Sequence, residues 1–317
     1  MSKLSRYKDV GWYAASGLLF YLLLGFSSIL PGGAVKAADV RLLVPAYAYP
    51  TGNSTMWPSL IQAAGTLKEG IGVILNPNSG PGAQVDANYS HVVTDFRNAG
   101  GRVYGYVPTT YGQRNLNDVK QDVERYYNFY PGLVDGIFFD EMANDLSRTG
   151  YYQQLHNHVK SHPGDALVIG NPGTSYLNDA SQGASGYTPA DYAASADVLV
   201  AFEDDEAAYR NDDRAPDWNP GGPEHVGHIV HTTGGQWDGN LLQLALDRGA
   251  GWVYFTNDVE PNPYDQIPPY WEQEVAAVAS ARGTPVPLPA AFPLFLTGFG
   301  LLTGLKRLFR GKVRGDG

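Results

Sequence analysis

The sequence predicts a single (β/α)₈ barrel, and three observations carry that prediction. Short β-branched and aromatic runs recur at intervals of about 25 to 35 residues, and segments able to form helices lie between them. The stretch that holds them, residues 38–284, has the length that such barrels commonly occupy, about 250 residues.

In order, the strands are expected at Arg41 to Tyr49, Ile71 to Asn76, Arg102 to Pro108, Gly136 to Asp140, Ala166 to Gly170, Val198 to Phe202, His228 to His231 and Trp252 to Thr256. Each is apolar or β-branched and stops at a cluster of Gly, Pro, Asn, Asp or Thr, the residues that favour turns. Helices are expected over Trp57 to Ala64, Tyr89 to Ala99, Leu116 to Phe129, Gly150 to His162, Pro189 to Ala194, Gly239 to Arg248 and Tyr270 to Ala281. Alternation of strand and helix implies parallel strands joined by crossovers, and eight repeats allow closure. An open doubly wound sheet is the competing arrangement. It is disfavoured because no Gly-rich turn follows the first strand, and the chain holds neither G-x-G-x-x-G nor a P-loop, so no nucleotide cofactor is expected.

The two ends differ from this core. Lys3, Arg6 and Lys8 precede an apolar stretch from about Val10 to Leu30 and then Val35-Lys36-Ala37, the order of a secretory signal cut after Ala37, with an uncleaved anchor as the alternative. At the other end Val286-Pro287-Leu288-Pro289-Ala290 precedes an apolar run from Ala291 to Leu305 and the basic residues Lys306, Arg307, Arg310 and Lys312. This tail, residues 285–317, resembles the PEP-CTERM sorting signal of Gram-negative bacteria; a plain membrane helix is the alternative. The resemblance implies an exported protein held briefly at the inner membrane, a sorting protease of the exosortase type as partner, and an association with exopolysaccharide.

There is no cysteine, which excludes disulfides, thiolate metal sites and a cysteine nucleophile. Residues 38–284 carry 13 Lys and Arg against 30 Asp and Glu, a formal charge near −17. Such a domain repels nucleic acid and anionic polymers and favours neutral or cationic ones; acidity can also serve solubility alone.

The C-terminal ends of barrel strands build the active-site face, and here they hold the polar residues. Asp140 and Glu141 follow the apolar Gly136-Ile137-Phe138-Phe139, and Glu203 follows Val198-Leu199-Val200-Ala201-Phe202. Carboxylates on the fourth and sixth strands can face each other across the mouth, where one protonates a leaving oxygen and the other stabilises or attacks an anomeric carbon. Asp140 is expected as nucleophile, Glu203 as acid/base, and Glu141 as an orienting or hydroxyl-binding group. Adjacent strand residues point to opposite faces, so Asp140 and Glu141 share the mouth only if the chain turns between them. A gap of roughly 5 Å between Asp140 and Glu203 indicates retention of configuration and about 6.5 to 9.5 Å inversion. The same acids could instead cap a helix or hold a hard divalent cation.

Around them, Tyr47, Tyr49, Asn76, Asn78, Tyr111, Asn171, His231, Trp237, Asn257 and Asp258 are the candidates for substrate contact, with capping of the next helices as the alternative for Asn76, Asn171 and Thr256. Flat rings stack on the apolar faces of sugars, so Trp218 and Tyr254 join the aromatic candidates. The loop from Asp204 to Pro223 is expected to form a cleft wall or lid. His156, His158 and His162 are expected on an exposed helix face, and no metal site is expected.

Four runs together resemble the spherulin-4 family: Val44-Pro45-Ala46-Tyr47 with Tyr49-Pro50; Ile74-Leu75-Asn76-Pro77-Asn78-Ser79-Gly80-Pro81-Gly82; Gly105-Tyr106-Val107 with Thr110-Tyr111-Gly112; and Gly136-Ile137-Phe138-Phe139-Asp140-Glu141. The resemblance spans about residues 42 to 260. It implies a (β/α)₈ barrel and a glycoside hydrolase acting on galactosamine-containing exopolysaccharide, with Asp140 and Glu141 matching the family's acidic pair and Glu203, or Asp204 if the register slips, the later acid. A non-catalytic polysaccharide-binding matrix protein and a metal-dependent hydrolase are the alternatives.

Overall fold

Eight parallel strands close on themselves in chain order in the computed structural model, which describes residues 39–283 except 53, 163 and 179–184. They are β1 (Arg41–Ala46), β2 (Ile71–Leu75), β3 (Arg102–Pro108), β4 (Gly136–Asp140), β5 (Leu167–Gly170), β6 (Val198–Asp205), β7 (Val226–His231) and β8 (Trp252–Phe255). Arg41 beside Trp252 and Leu42 beside Val253 join β8 back to β1. The architecture is therefore the barrel and not the open sheet. The segments read as a secretory signal and a sorting tail lie outside the described residues, and no described helix is long and apolar enough to cross a membrane.

A helix follows every strand: α1 (Met56–Leu67), α2 (Ala87–Ala99), α3 (Leu116–Phe129), α4 (Thr149–Lys160), α5 (Pro189–Ala193), α6 (Glu206–Asn211), α7 (Gly239–Asp247) and α8 (Trp271–Ala281). Each long helix buries one stripe; in α1 it is Met56, Trp57, Leu60, Ala63, Ala64 and Leu67, spaced as a helix face requires. Asp86, Asn115, Asp205 and Asp238 cap the helices that follow them through side-chain oxygens. At Gly105 a Cβ would stand 2.6 Å from the Tyr126 ring, so the absence of a side chain is what lets α3 lie against β3.

Three features depart from the sequence expectation. Strand β6 runs three residues past Phe202, with a bulge between Val200 and Phe202 against β7. The extra residue resets the alternation there, and Glu203 turns towards the barrel axis while Phe202 packs on Tyr209 of α6. The expected lid from Asp204 to Pro223 begins instead as the end of β6 and the helix α6. Further on, Asp217 accepts the Leu177 N–H and donates its own N–H to the Ser175 carbonyl, which ties this segment to the β5–α5 loop. Trp218, expected at the mouth, is buried against Tyr192 of α5 on the barrel's outside, because an apolar ring finds its dry partner there.

The floor of the barrel is ionic. Asp135, just before β4, accepts the Val103 N–H and pairs with Arg97 and Arg102, both at 2.9 Å. Asp197, just before β6, accepts the Val168 N–H and pairs with Lys160 at 2.6 Å and His156 at 3.5 Å. Burial alone would raise the Asp197 pKa; the bonds from His156, Lys160 and Val168 outweigh it and hold the carboxyl down at about 2.

Candidate active site

The opposite ends of β4 and β6 carry Asp140 and Glu203, and Asn171 at the end of β5 stands between them. Its side-chain amide nitrogen donates to Asp140 Oδ1 at 2.8 Å and to Glu203 Oε2 at 2.5 Å. Laid end to end, those two legs set an upper limit of about 5.3 Å on the separation of the two oxygens. The outer oxygens are held by tyrosines: Tyr106 donates to Asp140 Oδ2 at 2.7 Å and Tyr264 donates to Glu203 Oε1 at 2.6 Å. Tyr47 lies between those two rings, edge-on to both at 5.8 and 5.6 Å.

Neither carboxylate has a Lys or Arg partner in the bonds just described. Burial raises the Asp140 pKa above the ordinary carboxylate value, against the bonds from Tyr106, the Glu141 backbone and Asn171. Burial also raises that of Glu203, and the Asp140 charge pushes it further, against the bonds from Tyr264 and Asn171. Tyr106 and Tyr264 are themselves shifted upward, mainly by burial, so both remain hydroxyl donors at any working pH.

Asp140 and Glu141 share the mouth because the chain does turn between them. Glu141 adopts a left-handed backbone with φ of 50°, a costly conformation for a side chain with a Cβ. Its surroundings hold it there: Thr109 Oγ1 donates to the carbonyls of Asp140 or Glu141 at 2.9 and 2.8 Å, and the Tyr111 N–H donates to the Glu141 carbonyl. The Glu141 carboxylate turns aside to accept the Thr110 N–H at 3.1 Å. Thr110 and Tyr111 are left-handed as well, as are Ser79 after β2 and Thr232 after β7. Strain of this kind gathers at the mouth, with Lys68 the exception among the described non-glycine residues. Asp204, the alternative to Glu203, is exposed and bonds its neighbour's backbone.

The remaining candidates separate. Tyr47 and Asn171 belong to the carboxylate cluster. His231 is buried, bonded to Thr232 through Nδ1 and 3.8 Å from the Glu260 carboxylate, whose charge also acts on Glu203. Asp258 has a buried oxygen with no hydrogen-bond partner beside that group, and Asn257 next to it is half-buried. Tyr111 is exposed on the rim. Asn76 caps no helix: it accepts the Gly80 N–H within the β2–α2 loop, while Asp86 caps α2, and Asn78 is exposed with its backbone in the same turn. Tyr49 is drawn outward by Asp86 and Asn88 at the start of α2. Trp237 packs on Phe255 and Tyr270 and lines a separate cavity of about 170 Å³ with Glu206, Thr233 and Leu241. Tyr254 is buried against Trp271 and Tyr264.

Two members of the cluster escape sequence reasoning. Tyr106 precedes the end of its strand, and only strict alternation along β3 could have aimed it inward. Tyr264 comes from a Pro-rich loop after β8, where no periodicity operates.

Similarity to known proteins agrees with the barrel fold. Residues 41–278 match the profile of spherulation-specific family 4. Spherulin-4 of Physarum polycephalum is 33% identical over 259 residues, covering 77% of this chain and 72% of its own length. The crystal structure of Aspergillus clavatus Sph3 in complex with GalNAc superposes with a TM-score of 0.64 at 25% identity, covering 77% of this chain and 99% of that one. A profile match from the first barrel strand into the last helix, together with a relative of this identity and coverage, settles the membership: the chain belongs to the spherulin-4 family.

Proposed function

We propose that this protein is a glycoside hydrolase that cleaves a galactosamine-containing polysaccharide with retention of configuration. The observation that carries the proposal is the pair of desolvated carboxylates bridged by one amide nitrogen, with neutral donors on their outer oxygens. The about 5.3 Å limit on the gap between the bridged oxygens suits a nucleophile and an acid/base on one glycosidic bond, and leaves little room for the water that inversion inserts. The GalNAc bound to the Sph3 relative supports an amino sugar as the unit recognised.

In the first step the Asp140 carboxylate attacks the anomeric carbon while Glu203 gives its proton to the departing glycosidic oxygen. In the second step Glu203, now ionised, takes a proton from water, and that water releases the sugar from Asp140. The roles follow from the environment. Asp140 carries three bonds that favour its charged form, whereas Glu203 carries two and meets the charge of Asp140, which favours its protonated form. Asn171 keeps both groups in register through the exchange. Glu141, turned towards Thr110, orients the strand end or meets a sugar hydroxyl. Tyr47 presents a ring to the sugar face, with His231, Asn257, Asp258 and Tyr111 further along the rim.

The proposal extends to location: reading residues 1–37 as a secretory signal and residues 285–317 as a sorting tail supports an exported barrel at the cell envelope of a Gram-negative bacterium, released from the membrane by an exosortase-type protease. The test is release of oligosaccharides from partly deacetylated galactosamine polymers, with product anomers followed by NMR. The α- or β-configuration of the first product matches that of the substrate on this reading. An inactive wild-type protein that still binds the polymer would make it a matrix protein, and chelator-sensitive turnover rescued by a divalent cation would make it a metallohydrolase.

A further inference from the structure

Away from the mouth, the outer surfaces of α3 and α4 bring together three side chains of ligand chemistry. His158 Nε2 lies 3.0 Å and His162 Nε2 3.1 Å from the same oxygen of Glu124. The ligand atoms of all three fall within 4.8 Å of one another. Both imidazole nitrogens are buried, yet neither meets the carboxylate at an angle that makes a hydrogen bond. The large majority of buried polar side-chain atoms have a hydrogen-bond partner. Two ring nitrogens crowding one carboxylate without bonding it is the arrangement left when lone pairs converge on a shared point.

We propose that Glu124, His158 and His162 bind a divalent transition-metal ion, with Zn²⁺ the best fit. Bond lengths of about 2.0 to 2.2 Å to imidazole nitrogen and carboxylate oxygen put neighbouring ligands of a tetrahedral ion about 3.3 Å apart, close to the separations seen here. Two imidazoles and a carboxylate suit zinc and its neighbours better than Mg²⁺ or Ca²⁺, which demand oxygen shells. The surroundings support the ligands. Tyr127 stacks on His162 at 4.1 Å and fixes its plane. The Glu124 side chain is 45% exposed, which gives an ion a way in and leaves a fourth position for water. His158 is in the last turn of α4, His162 lies two residues past its end and Glu124 is on α3, so the ion fastens the end of one helix to its neighbour in a barrel that has no disulfide.

The untagged full chain, stripped with a chelator and dialysed against zinc chloride, is expected to retain about one ion per chain by elemental analysis, and to retain neither Mg²⁺ nor Ca²⁺. At a hundredfold excess over Kd the unfolding midpoint is expected to rise by about 5 °C or more. His158→Gln and His162→Gln keep a polar group in place and are each expected to weaken retention about tenfold or more. His156→Gln, on the same helix but facing Asp197, leaves retention unchanged. Should the histidine variants fold poorly by circular dichroism, Glu124→Gln, the most exposed of the three, is expected to show the same loss. Retention of less than about a tenth of an ion by the wild-type chain, or undiminished retention in a folded His158→Gln/His162→Gln or Glu124→Gln variant, overturns the proposal.

Discussion

Strands β4 and β6 each carry an acid at both ends, and the two ends treat it in opposite ways. At the floor, Asp135 meets Arg97 and Arg102, and Asp197 meets Lys160 and His156. At the mouth, Asp140 and Glu203 meet a shared amide and two phenols. Burial acts at both ends, but only the floor supplies cations to offset it. One Asp there is held at about 2, while the mouth pair is pushed above the ordinary range. The floor acids hold neighbouring strands in register by taking a backbone N–H across the gap. The mouth acids stabilise nothing comparable, and the left-handed residues beside them add strain. Residues of one chemical type thus serve the fold at one end of a strand and, on the proposed function, chemistry at the other, the environment alone deciding which.

The sharpest way to break this contrast is to neutralise each end in turn. Glu203→Gln and Asp140→Asn are expected to lower kcat/KM about a thousandfold or more on a galactosamine polymer, with an unfolding midpoint equal to or above that of the parent, because a buried charge without a cation has been removed. Asn171→Leu keeps both acids but removes the bridge, and kcat is expected to fall about a hundredfold. The floor gives the reverse result. Asp197→Asn is expected to lose about 1–2 kcal/mol at pH 7 in chemical denaturation, after allowing for partial exposure, with turnover per folded molecule unchanged. A depressed folded-state pKa contributes stability above the unfolded value near 4 and loses it as pH falls towards 2, so the gap between parent and Asp197→Asn closes over that window.

How legible all this was depended on whether a signal was local. Strand periodicity placed all eight strands, and the acids stood where apolar runs stopped, so Asp140, Glu141, Glu203 and Asn171 could be chosen by position. Long-range features left no such trace. The bulge that turns Glu203 inward depends on the register between β6 and β7, Tyr264 reaches Glu203 across 61 residues, and Trp237 and Tyr49 were claimed by partners that only the fold supplies. His158 and His162 read as an exposed helix face because the carboxylate they meet, Glu124, belongs to another helix. Spacing of four between His158 and His162 was visible, but its meaning was not.

The smallest effect refines the mouth. Tyr264→Phe removes a bond that favours the charged form of Glu203, so its pKa rises further and the alkaline limb of the kcat profile is expected to move to higher pH, with the maximal rate changed by less than about tenfold.

The contrast between the two ends is tested most directly by following the side-chain carboxyl carbons of Asp197 and Glu203 by NMR in a single pH titration. The expected result is Asp197 titrating near 2 and Glu203 above the ordinary glutamate value. Two curves at ordinary values, or Glu203 ionising before Asp197, would contradict it.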